Sequence, residues 1–179
     1  GADVNDIDSL RFKTVKVGET ATVYASDLST SWGKASFAVN SGFSKSGDGL
    51  ALSSNSNSAT IEGVNADTVG RLSYAAEISL PSSVGTGNLK VTQNFNIPIL
   101  VVSAKANGNG TSSDPLTITN SSEFNMLRYA HGIHVELDKD ISVNVSAFEF
   151  NGTFNGNGHT VNVAAPVFTE LCGILKNVD

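Results

Sequence analysis

The sequence predicts a mainly β chain in two parts: a sandwich of short strands over residues 1–106, then one short helix ahead of parallel-layered strands over 107–179. Three observations predict it. Apolar and polar residues alternate with period two through much of the first part, as in a sheet with one dry and one wet face. A Gly-, Asn- and Ser-rich stretch between Ala106 and Pro115 breaks the pattern and cannot continue a strand or a helix. Beyond it, a helix-start signal is followed by short β-branched runs separated by Gly and Asn.

In the first part, strands are expected at Leu10–Val17, Thr20–Ala25, Ala35–Val39, Gly49–Leu52 and Ala59–Val64. The clearest strands follow. Leu72, Tyr74, Ala76, Ile78 and Leu80 share a face opposite Arg71, Ser73, Glu77 and Ser79. Leu89, Val91, Phe95, Ile97, Ile99 and Val101 repeat the pattern against Lys90, Thr92, Asn94 and Asn96, with Gln93 interrupting the apolar face. Turn chemistry stands between them at Val17-Gly18-Glu19, Ser31-Trp32-Gly33, Ser46-Gly47-Asp48-Gly49 and Pro81 to Gly85. About seven strands at roughly ten-residue spacing fit an immunoglobulin-like β-sandwich domain over residues 1–106. Pro98 has no N–H to give a ladder, so the last strand is expected to be an edge there or to carry a bulge.

In the second part, Asn120 stands three residues before Glu123, the spacing of a capping box. Phe124, Leu127 and Ala130 then fall on one face of a helix of about three turns, with Gly132 as its C′ residue. Strands are expected at His134–Leu137, Ile141–Val145, Phe148–Phe154, Thr160–Val163 and Gly173–Val178. Asp140-Ile141, Asn162-Val163 and Asn177-Val178 form a faint repeat, each placing a turn-bonding side chain beside a β-branched residue. Offsets of roughly this size bracket one turn of a parallel β-helix, whose first rung needs a cap. A β-sandwich with one helix is the alternative.

Four segments also carry a resemblance. Gly110-Thr111-Ser112-Ser113-Asp114-Pro115-Leu116-Thr117-Ile118 is followed by Glu123-Phe124-Asn125-Met126-Leu127, Val135-Glu136-Leu137-Asp138-Lys139-Asp140-Ile141, and Phe150-Asn151-Gly152-Thr153-Phe154-Asn155-Gly156-Asn157-Gly158-His159-Thr160-Val161. Together with Val167-Phe168 and Gly173-Ile174-Leu175-Lys176-Asn177-Val178, the run from about 110 to 179 resembles the right-handed β-helix modules of bacterial surface adhesins with GLUG-type repeats. Asn155 stands where those modules usually carry Asp, and Thr169-Glu170-Leu171-Cys172 replaces a small-residue stretch. The resemblance implies a helix-capped start of a right-handed β-helix and an exported cell-surface protein, lipid-anchored at the outer membrane or secreted. It assigns adhesion as the role, with any membrane attachment made by a lipid anchor outside this chain.

Charge narrows the partners. The chain of 179 residues has a net charge of −6 and is only 16% charged. Residues 1–106 carry 8 basic and 9 acidic side chains and the rest 3 and 8, so the acidity lies in the second part. Nucleic acid needs clustered Lys and Arg, and none is visible. The longest apolar run, Ile97–Val102, is far too short to span a membrane. With neither a signal peptide nor a polybasic segment in view, the chain is read as cytosolic or as the mature part of an exported protein.

The candidate chemistry is sparse. Cys172 has Glu170 beside it to raise its pKa, and is read as a buried small hydrophobe rather than a reactive thiol. Asn151 to Gly158 is glycine-rich, but a strand pattern follows it and no Lys does, so a phosphate cradle is not expected. The better reading is a tight corner with Gly156 and Gly158 at positive φ and Asn155 and Asn157 bonding backbone. His131 and His134 form H-x-x-H with His159 elsewhere, short of the ligand set zinc needs. Glu136, Asp138 and Asp140 alternate on one predicted strand face near Glu149, and are read as a solvated face rather than a calcium or glycosidase site. Trp32 is read as a sandwich-core residue, with stacking on a sugar ring as the alternative. The expectation is therefore a non-catalytic surface adhesion protein binding glycans or matrix and surface proteins, without metal or cofactor. A carbohydrate-binding module, or the remnant of a β-helix polysaccharide lyase or hydrolase, is the alternative.

Overall fold

The computed structural model describes residues 11–24, 36–80 and 89–179, except for the side chains of 36–41, 76–80 and 89–93. Among the described residues it is mainly β, with several sheets and little helix. The first seven strands are β1 (Lys13–Lys16), β2 (Thr20–Tyr24), β3 (Ser36–Ser46), β4 (Leu50–Ser54), β5 (Ser58–Gly63), β6 (Thr68–Leu80) and β7 (Leu89–Val102). They form a four-stranded sheet in the order β1-β7-β6-β3 and a three-stranded sheet in the order β2-β5-β4. All pairings are antiparallel except β1 with β7, which run parallel from Lys13 opposite Ile99 to Lys16 opposite Val102.

The alternation read from the sequence is what packs these sheets. Val15, Phe43, Leu72, Tyr74, Ile97, Ile99 and Val101 from the larger sheet meet Val23, Leu50, Ala59 and Ile61 from the smaller in one buried core. Tyr74 joins Phe43 and Phe95 in a row of rings, with centroids 4.6 and 6.4 Å apart. Pro98 lies opposite Arg71 on β6 and one residue before β1 joins the other side of β7. Among the described residues it therefore stands where β7 is still an edge, and its missing N–H leaves no gap in the ladder. Trp32 and the turn at Pro81 to Gly85 lie outside the described residues.

The strands after Pro115 pair differently. They are β8 (Leu116–Ile118), β9 (Ile133–Leu137), β10 (Ile141–Val143), β11 (Phe148–Phe150), β12 (Gly152–His159), β13 (Val161–Val163), β14 (Phe168–Leu171) and β15 (Ile174–Val178). Every ladder among them is parallel: β8-β9-β12-β15, β10-β13 and β11-β14. Leu116, Val135, Phe154 and Leu175 stand in register as one column. The expected repeat is corrected in detail. Asn162 stands opposite Ser142 rather than Asp140, and β15, which holds Asn177, joins a different ladder from β13. Asp140 bonds not its own turn but the next layer, accepting the Thr160 N–H twenty residues on.

Between β8 and β9 lies α1 (Ser121–Met126), continued by a 3-10 turn at Leu127–Tyr129. The Asn120 half of the capping box forms as its spacing predicts, while the Glu123 carboxylate reaches one residue past the N-cap, to Thr119. Asn120 Oδ1 accepts the Glu123 N–H at 2.8 Å, and Glu123 Oε2 accepts the Thr119 N–H at 2.7 Å. Phe124, Leu127 and Ala130 are all buried in the second core, as their helical spacing requires. Phe124 contacts Phe148, Phe154 and Phe168 there, and Phe148 and Phe168 are register partners with ring centroids 5.4 Å apart.

The second core crosses the compositional boundary at residue 106. It contains Phe12, Leu100, Val102 and Ala106 as well as residues from 116 onward, with Val69 packed against it. Strand β7 thus sends Ile97, Ile99 and Val101 into one core and Leu100 and Val102 into the other. That is why Ile97–Val102 loses its polar face: both faces of the strand end are dry.

Candidate functional site

The corner at Asn151–Gly158 is built largely as the sequence implies. Asn155 Oδ1 accepts the Asn157 N–H at 3.1 Å, and Asn157 Nδ2 donates to the Leu137 carbonyl at 2.9 Å. Gly158 takes a positive φ, but its partner in the left-handed region is Asn157 (φ 51) and not Gly156. Gly156 is required for closeness instead, since a Cβ there would collide with the Asn177 carbonyl of the next layer. Asn177 Nδ2 in turn donates to Asn155 Oδ1 at 3.1 Å, so amides stack from layer to layer. These amide groups are used by the fold.

Cys172 is exposed, which corrects its expected burial. It follows β14, which pairs with β11. Its Sγ lies 3.6 Å from Glu149 Oε1, and Glu149 and Glu170 are register partners on β11 and β14. Desolvation, followed by the Glu170 and Glu149 charges, pushes the thiol pKa up, which disfavours the thiolate that a nucleophile or a metal ligand needs. Ligand atoms of Glu149, Glu170 and Cys172 lie within 4.8 Å of one another, the only such group among the described residues.

The other candidates do not converge. His131 is exposed and His134 half-buried in β9, and neither joins a ligand group with His159. His159 Nδ1 instead lies 3.3 Å from Asp140 Oδ1. The Thr160 N–H first, and then His159, hold the Asp140 carboxyl below its usual range. Glu136, Asp138 and Asp140 were expected on one strand face, but β9 ends at Leu137 and the last two stand in the turn beyond it. The register places Glu149 beside Glu170, not beside these three.

A concavity among the described residues lies where the two regions meet. A groove of about 690 Å³ runs between Arg11–Thr14, ahead of and within β1, and the loop Asn109–Ser112, with Gly132 and His134 at its far side. Its walls are tied together. Thr14 Oγ1 donates to the Asn109 carbonyl at 3.3 Å, and the His134 N–H donates to the Gly110 carbonyl at 2.8 Å. The loop is ordered by its own bonds: Asn109 Oδ1 accepts the Thr111 N–H and hydroxyl, and the Asp114 carbonyl accepts the Asn109 and Gly110 N–H groups. Gly110 (φ 87) has to be glycine, because a Cβ would come within 2.9 Å of Phe12 and Ile133.

The Gly-, Asn- and Ser-rich run up to Pro115 reads from sequence as a linker or loop, and nothing in it or around β1 marks Arg11, Lys13, Asn109, Thr111 or Ser112 as binding residues. Their juxtaposition depends on pairing across more than ninety residues, which leaves no local motif. The available signal was Ile97–Val102, apolar on both faces and so demanding a second layer against the sandwich. No protein-family profile, curated protein or solved structure matches this chain. Among the described residues, no helix is long and apolar enough to cross a membrane.

Proposed function

We propose that the chain is a non-catalytic binding module of an exported bacterial surface protein. In this reading an immunoglobulin-like sandwich carries the helix-capped start of a right-handed β-helix, displayed for adhesion to glycans or to matrix and surface proteins. Strands β2-β5-β4 facing β7-β6-β3, with β1 laid parallel on β7, support the immunoglobulin-like assignment. Three parallel ladders beneath α1 support the β-helix, and with it the resemblance to adhesin modules. Attachment to the outer membrane would come from a lipid anchor outside this chain.

The single observation that carries the reading is β7, whose two faces belong to two cores. A spacer that shares a strand with the element it displays presents that element at a fixed angle, as adhesion under load demands. The groove at the junction favours a second reading, a carbohydrate-binding module, because ligand sites gather at such seams.

The test is an array of surface glycans and matrix proteins probed with the whole chain. Saturable binding without product release is the expected result. Release of oligosaccharide from any bound polysaccharide contradicts the non-catalytic reading, and a blank array contradicts adhesion.

A further inference from the structure

We infer that Asn107 is a modification site, the Asn-Gly step at which the folded chain deamidates. Asn107, Asn109, Asn151, Asn155 and Asn157 are each followed by glycine. Glycine is the most reactive successor, because without a side chain its amide nitrogen can approach the asparagine carboxamide closely. The Gly108 nitrogen gives up its proton and attacks Asn107 Cγ, the Cγ–Nδ2 bond breaks, and ammonia leaves with that proton. Water then opens the resulting succinimide at either carbonyl, giving aspartate or isoaspartate.

The fold closes the other four steps. Gly110 donates its N–H to the Asp114 carbonyl at 3.0 Å, and Asn109 Oδ1 holds the Thr111 N–H and hydroxyl. Gly152, Gly156 and Gly158 all lie in β12, which pairs with β9 on one side and β15 on the other. Two of the asparagines ahead of them are also tied. Asn155 Oδ1 accepts from the Asn157 N–H and from Asn177 Nδ2, and Asn157 Nδ2 donates to the Leu137 carbonyl. Bringing any of these glycine nitrogens back onto the preceding side chain means opening a strand or a bonded loop first.

Asn107 is built differently. It is exposed and stands outside the strands. Its carbonyl accepts the Thr117 N–H at 2.9 Å. Among the described residues, neither its side-chain amide nor the Gly108 N–H has a hydrogen-bond partner. Gly108 takes a φ of 83, and a Cβ there would strike the Pro115 carbonyl, so the fold itself demands the reactive successor at this step. Isoaspartate carries the chain through the former side chain, a methylene longer, between Ala106, buried in the second core, and Gly108 against Pro115. The Thr117 N–H of β8 then loses its fixed acceptor, and a new carboxylate joins a chain whose net charge is already −6.

The experiment incubates the whole chain at mildly alkaline pH, folded and in parallel in urea, and follows the Asn-Gly peptides by protease digestion and mass spectrometry. In the folded chain Asn107 should convert about tenfold or more faster than any of the other four, because those must open first. In urea all five should convert at similar rates. Asn107→Gln, whose attack would have to close a larger ring, should remove most of the ammonia released by the folded chain while amide spectra confirm the fold. The isoaspartyl fraction should exchange its Thr117 amide faster than the starting chain. An inert Asn107, folded rates that match across the five steps, a faster step at one of the others, unchanged ammonia release from Asn107→Gln, or no faster exchange at Thr117 overturns the inference.

Discussion

The two regions of this chain solve the same problem, covering both faces of a sheet, with different chemistry. In the first, every strand pair but β1 with β7 runs antiparallel, and alternating side chains meet across two sheets. In the second, each strand pairs in parallel with one a full layer later, and the interior is a column of phenylalanines under one helix. In the first, most strands need only one dry face, although Gly63 and Gly70 are also held to glycine, by the Lys16 and Ser46 carbonyls. The second requires every corner to turn in the same place, so its constraints sit on glycine and asparagine. Gly152 and Gly173 show this: a Cβ on Gly152 would strike the Ile133 carbonyl, and one on Gly173 would strike the Gly152 backbone.

The largest expected effect breaks that contrast open. Gly152→Val should destabilise the chain by about 4 kcal/mol or more, since the obstacle is backbone and cannot move aside. Gly18→Ala in the first region, at φ 80 but in open space, should cost only about 1 kcal/mol. Urea denaturation of both variants checks the ranking, and equal losses would remove the distinction between corner and turn. Next, Phe150→Ala, fully buried within the ring column, should cost about 3–5 kcal/mol. The half-buried Phe95 of the first region lies at the edge of its ring row, and its truncation should cost less.

Smaller effects come from the two carboxylates that tie the second region together. Glu123 is 3% exposed, and burial, with a lesser contribution from Asp67, pushes its pKa up against the Thr119 hydrogen bonds. A folded-state pKa above the unfolded one means that the native state binds the extra proton. Stability therefore falls as pH rises from the ordinary Glu range through the raised folded value. Glu123→Gln keeps an acceptor for the Thr119 N–H, so its melting temperature should show a flatter pH profile over that interval. Asp140 has the opposite sign. Its depressed pKa favours folding above the ordinary Asp range, and that contribution is lost as pH falls through the folded value. Because Asp140 is exposed, Asp140→Asn should give the smallest change of all, visible only in acid and reduced by salt.

How much was legible follows the same division. The seven early strands were readable because period-two alternation is a local signal, and Leu72, Tyr74, Ile97, Ile99 and Val101 all face inward as read. The Asn120 cap on the Glu123 N–H was readable because the two are three residues apart. Layer registry was not. Asp140 pairs with Thr160 and Asn177 with Asn155, and nothing within either segment names its partner. Strand β14 went unread because Phe168 and Leu171 stand among polar residues and turn apolar only against Phe148 and Phe150. Cys172 is exposed although free cysteines are usually buried, because residue type alone carries no information about position in a ladder. The groove was invisible for the strongest reason: one wall comes from the start of the first region and the other from the opening of the second, and they meet where β1 lies on β7.

Ile99 and Leu100 are adjacent in β7, wholly buried, and committed to different cores. Equilibrium urea unfolding of Ile99→Ala and Leu100→Ala, followed by both far-UV circular dichroism and hydrogen exchange, tests whether that strand joins the molecule into one unit. Each variant should lower a single shared transition, by about 2–5 kcal/mol. Two separate transitions, one moved only by Ile99→Ala and the other only by Leu100→Ala, would contradict it.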